Sequence, residues 1–151
     1  MSHWILIADA SGARVFSIAG RNQPLKLVRE FANPDGRART QDLVSDEAGR
    51  ISKAGTRGMK SAMDPRTTAH EAAAEKFARE LGTFLAHHSS NGDAATMSLV
   101  APPHFLGLLR STLSKETDHL VRSSLAEDLV RVPADQLRPR MEPLLVPGLF
   151  Q

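Results

Sequence analysis

The chain has 151 residues with 41% hydrophobic and 24% charged side chains, the composition of one soluble globular domain with a single core. It contains no Cys, which excludes disulfides and thiolate metal sites. The formal net charge is only +2, yet residues 50–66 alone carry Arg50, Lys53, Arg57, Lys60 and Arg66 against Asp64, a local net of +4. A near-neutral body bearing one basic segment suggests a polyanionic partner.

The N-terminus shows no basic, apolar leader and there is no apolar run long enough to cross a bilayer, so a cytoplasmic protein without membrane contact is expected. "WILIADASGARVFSIAG" predicts two short strands joined at Asp9-Ala10-Ser11-Gly12. The unbroken apolar run Trp4–Ile7 is that of a strand covered on both faces. Asp9 and Ser11 have short side chains that bond nearby backbone, and Gly12 relaxes the φ limits, so the plain reading of this stretch is a turn. Its place at the end of a strand also makes it a candidate site in an open α/β sheet. "LKLVREF" alternates Leu25, Leu27 and Phe31 with Lys26 and Arg29, which predicts a half-buried third strand.

Residues 33–67 have no strand or helix period and are broken at Pro34, Gly36, Gly49, Gly55 and Gly58. A segment of this length inside a compact domain is expected to be functional or mobile. Its cations fit either a solvated surface loop or a phosphate-binding arm, and charge alone does not separate the two. It holds no Phe, Trp or Tyr, so contact with phosphates is expected rather than base stacking.

"TTAHEAAAEKFARELGTFLAHH" predicts a long helix. Thr68-x-x-Glu71 is a capping-box pattern, Ala73, Phe77, Leu81, Phe84 and Leu85 form one apolar stripe, and Glu75 precedes Arg79 by four. Ser89-Ser90-Asn91-Gly92 ends it. "TMSLVAP" predicts a buried strand, and Pro103 opens a helix with Phe105, Leu108, Leu109 and Leu113 on its face. Ser114 caps a short turn, "LVRSSLA" predicts a last strand, and Pro133 starts a helix that Pro139 is expected to cut or distort. The order β-β-β, loop, α, β, α, β, α implies an α/β domain over residues 1–141 with a mixed sheet. The tail 142–151 places Leu144, Leu145, Val146, Leu149 and Phe150 together, which predicts packing on its own domain or a homodimer.

Metal chemistry is not expected. His87 and His88 are neighbours that point about 100° apart on a helix, and "HEAAA" at His70 lacks the second His of a zinc-protease helix. No phosphate loop, catalytic triad or cofactor motif is present, so no catalytic residue is assigned. An enzyme built around Asp9, Ser11 and His70 is the alternative.

"WILIADASGARVF", "DLVSDEAGR", "EKFARELGTFL" and "LVAPPHFLGLLR" followed by "LSKE" occur in this order across about residues 3–140. Together they resemble the bacterial host-attachment protein family, whose name implies a protein partner in attachment to host cells. More distantly, the order of elements is similar to the middle domain of the archaeal and eukaryotic peptide-chain release factors. Their "MDGSGA"-type turn is like "ADASGA" at Ala8–Ala13, and their "GRGGQSA" loop is like "TRGMKSA" at Thr56–Ala62. Arg57, Gly58, Ser61 and Ala62 match, whereas Met59 replaces the second Gly and Lys60 replaces the essential Gln. A Lys offers neither the amide geometry nor the acceptor oxygen of Gln. The resemblance therefore implies a release-factor-like fold and an RNA- or ribosome-directed loop with Gly58, Met59 and Ser61 at its tip, without peptidyl-tRNA hydrolysis.

Overall fold

The computed structural model describes residues 2–36, 65–145 and 149–150, the side chains of 65–67 excepted. The protein is an α/β domain built on a five-stranded mixed sheet. Strands β1 (His3–Asp9), β2 (Gly12–Ile18) and β3 (Lys26–Ala32) form the antiparallel meander. Helix α1 (Pro65–Ser90) leads to β4 (Thr96–Val100), and α2 (Pro103–Thr112) and α3 (Lys115–Leu120) lead to β5 (Val121–Leu125). β4 pairs parallel to β1, and β5 parallel to β4, giving the order β3-β2-β1-β4-β5. Helix α4 (Ala134–Met141) and a 3-10 turn (Glu142–Leu144) follow.

Central β1 is buried on both faces, as its apolar run predicts. Trp4, Leu6 and Ala8 face a layer formed by Phe77, Leu81 and Leu85 of α1 with Phe105 and Leu109 of α2. Ile5 and Ile7 face Leu129, Leu137, Met141, Leu144 and Leu145. The C-terminal tail thus docks on its own domain through Leu144 and Leu145, each 1% exposed, with Leu149 and Phe150 packed beside them. Arginines fasten this layer. Arg14 donates to the carbonyls of Val130 (3.1 Å) and Val132 (2.6 Å), Arg138 to those of Arg21 and Gln23, and Arg21 to that of Leu145.

A polar chain runs through the same layer. His3 is buried, with Nδ1 2.7 Å from Thr96 Oγ1 and Nε2 2.7 Å from Ser98 Oγ. Ser98 Oγ lies 2.6 Å from Ser123 Oγ, and Ser123 donates to the Leu144 carbonyl at 3.2 Å. Since the Ser123 proton goes to that carbonyl, Ser98 donates to Ser123 and must accept from Nε2–H, which fixes the neutral tautomer of His3.

Four expectations need correction. β3 forms, but it is not half-buried: Leu27 is 49% and Val28 41% exposed, and Leu25 precedes the strand. β3 is one of the two sheet edges, and Val28 is an extra residue opposite the Val15–Phe16 step, a bulge of the kind that protects an edge from pairing. Helix α1 opens at Pro65, so Thr68 lies inside it rather than at its cap, and Glu71 bonds His104 instead. Among the described residues no ion pair joins Glu75 to Arg79. Pro139 does not cut α4. It withholds one N–H from the Asp135 carbonyl, and both residues are exposed, so water can serve the carbonyl. The remaining punctuation is as read: Pro103 opens α2, Ser114 Oγ accepts from Thr117 N at 3.1 Å, and Gly92 (φ +80°) closes α1.

Candidate functional site

The C-terminal ends of the parallel strands β1 and β4 converge on one open groove of about 600 Å³, lined by Asp9, Ser11, Gly36, His70, Glu71, His104 and Arg131 among others. Such ends are where open α/β sheets place their sites. Each wall has a local cause. Asp9 ends β1, and its Oδ1 accepts from Ser11 N (2.8 Å), Ser11 Oγ (2.7 Å) and Gly12 N (3.1 Å). This is the Asx turn read from the sequence, and it gives Asp9 and Ser11 a structural task. Asn33 binds the turn to the rest of the wall: its backbone N–H donates to Ser11 O at 2.9 Å, and Nδ2 donates to Ala10 O at 2.8 Å and to Ala73 O at 3.4 Å. At Gly36 an added Cβ would stand 2.1 Å from Ala10 O, so only glycine lets the chain press this close.

The opposite wall is α1 and the start of α2. Glu71 holds His104 through both carboxylate oxygens, at 3.0 and 2.9 Å from Nε2. The ring is 74% exposed, so the pair is a screened surface contact that orients the imidazole more than it stabilises the fold. Among the described residues, no group of three or more His, Asp and Glu side chains is placed to hold a metal ion. The Ser11 hydroxyl is bonded to an Asp9 oxygen that already receives two backbone N–H groups, which is a brace for a turn rather than a nucleophile with its base.

The structure therefore brings together Asp9, Ser11 and His70, with Gly12 at the foot of the same turn. It adds Asn33, Gly36, Glu71, His104 and Arg131, which come from separate stretches without a shared period. Arg50, Lys53, Arg57, Lys60, Gly58, Met59 and Ser61 lie outside the described residues. Arg66 lies in the first turn of α1. The described chain on either side of that segment lines this one groove, at Gly36 and at His70.

The fold and groove define an α/β domain with a polar cleft at the carboxyl ends of two parallel strands. No helix among the described residues is long and apolar enough to cross a membrane. The chain belongs to the family described as "Protein required for attachment to host cells", which matches residues 4–141. No curated protein matches it. Among solved structures, one titled "Archaeal protein" is similar over 94% of this chain at 12% identity with a TM-score of 0.45, and this chain covers 36% of that one.

Proposed function

We propose that this host-attachment family protein acts as a non-enzymatic, cytoplasmic RNA- or ribosome-associated factor, with Arg50, Lys53, Arg57, Lys60 and Arg66 contacting phosphates. One observation supports the reading: the described residues that flank 37–64, the stretch holding four of these five cations, line the polar groove at Gly36 and at His70. A local net of +4 within residues 50–66 attracts a polyanion. The likeness of "TRGMKSA" to the release-factor loop supports the same partner, and Lys60 in place of Gln argues against ester hydrolysis. The family description favours a second reading, a protein partner in attachment to host cells.

The test is titration of wild type, and of a variant with all five cations changed to Gln, with RNA and with ribosomes at low and moderate salt. Wild-type affinity should fall with salt at a log–log slope of roughly −0.7 to −0.9 per phosphate contact, and each lost cation should flatten the slope by about one. Equal binding by both proteins at both salts would end the phosphate-contact reading and favour the protein partner.

A further inference from the structure

A second surface on the body has the chemistry that the basic segment lacks. β3 and α1 enclose a groove of about 630 Å³ lined by Arg29, Phe31, Lys76, Arg79 and Phe84, with Glu80 its one acid. Phe31 and Phe84 meet edge to face at 5.1 Å between centroids, and both are half-buried. The Arg29 guanidinium sits over them, 4.8 Å from the Phe31 centroid and 5.4 Å from that of Phe84. Phe84 is backed by Trp4, stacked at 6.0 Å, and by His88 at 4.5 Å, so the platform under Arg29 rests on the core. Arg29, Lys76 and Arg79 are exposed, and none of the ion pairs among the described residues includes them. The groove thus offers three cations against one acid, Glu80, and an aromatic–guanidinium platform in one place.

We propose that this groove binds single-stranded RNA, an inference that rests on the RNA reading above but uses different residues. An unpaired base stacks on the exposed side of the Arg29 guanidinium, which lies against Phe31 and Phe84 on its other side. Lys76 and Arg79, three apart on one face of α1, contact the adjoining phosphates. A duplex buries its base faces and cannot use the platform. An acidic peptide could neutralise the cations, but its Asp and Glu side chains bring no ring to stack.

The test measures binding of fluorescent single-stranded oligouridylate and oligoadenylate, and of an RNA duplex of equal length, across a salt series. Four proteins are compared: wild type, Arg29→Lys, the triple variant Arg29→Gln/Lys76→Gln/Arg79→Gln, and the five-Gln variant of the basic segment. The triple variant should weaken single-strand binding roughly tenfold or more, the size of a lost stacking contact, and flatten its salt slope by about two. Its duplex binding should stay within twofold of wild type. Arg29→Lys should weaken single-strand binding several-fold at an unchanged salt slope, because it keeps the charge and loses the plane.

Wild-type affinity of the triple variant for single strands would overturn the groove proposal, and so would equal loss of single-strand and duplex binding. Displacement of the oligonucleotide by polyglutamate of equal charge as well as by unlabelled RNA would also overturn it, in favour of a generic polyanion surface. Loss in the five-Gln variant alone leaves the segment reading standing and the groove proposal refuted. Loss in the triple variant alone does the reverse.

Discussion

Among the described residues, His3 is the one buried titratable side chain, and its charge state has a stability consequence. Burial pushes its imidazole from the ordinary 6.5 down to about 4. Both ring nitrogens are bonded in the neutral form, and Phe150 stands edge-on at 6.1 Å. The unfolded chain therefore binds a proton at a higher pH than the folded one does, and stability must rise with pH across that interval. The contribution is complete above pH 6.5, declines as pH drops, and is lost below about pH 4. A displacement of this size corresponds to roughly 3 kcal/mol. We expect urea midpoints of wild type to fall between pH 6.5 and 4 more steeply than those of His3→Gln, and identical pH profiles would refute the assignment. Nothing in the sequence singles out His3 among six histidines. Its partners, Thr96 and Ser98, stand 93 and 95 positions away, and only the pairing of β1 with β4 brings them to the ring.

At the scale of elements, the sequence order of strands and helices was legible because each carries its own period and punctuation. The apolar run of β1, the stripe of α1, Pro103, Ser114 and Gly92 all act locally. What failed was set by neighbours. β3 alternates like a half-buried strand, but it is an edge strand: the helix layer covers Phe31, while Leu27 and Val28 are left to solvent. The contact between α1 and α2 was equally invisible. Gly82 faces Thr112, whose hydroxyl donates to Leu109 O at 2.8 Å and to Ala78 O at 3.2 Å. A Cβ at position 82 would stand 2.6 Å from that oxygen and 3.3 Å from both Cβ and the carbonyl oxygen of Thr112. In an open helix Gly→Ala gains about 1 kcal/mol. Here Gly82→Ala should instead cost about 1–3 kcal/mol by overpacking. Adding Thr112→Ala should recover part of that loss in urea denaturation, and a stabilised single variant would show that the two helices part freely.

For the molecule as a whole, the C-terminal layer closes the fold. Leu144 and Leu145 are as buried as the strands they cover, and the tail accepts hydrogen bonds from Ser123 and Arg21. Loss of two buried leucines at about 2–5 kcal/mol each is comparable with the 5–15 kcal/mol stability of an ordinary domain. Deleting residues 143–151 should therefore lower the thermal midpoint drastically or leave a chain that does not fold cooperatively. An unchanged midpoint would mean that the layer is dispensable. The candidate groove was legible only in its turn, Asp9-Ser11-Gly12, and in His70. Asn33, Glu71, His104 and Arg131 reach it from four distant stretches, and their meeting depends on the crossovers. That topology also sets a timetable for synthesis. β1 can form its hairpin with β2 at once, but its other edge pairs with Thr96–Val100, beginning at His3 opposite Thr96. At about 5–20 residues per second, the first strand made waits roughly 5–20 s on the ribosome with that edge open. The most apolar of the described strands is thus the one most in need of protection while the chain is being born.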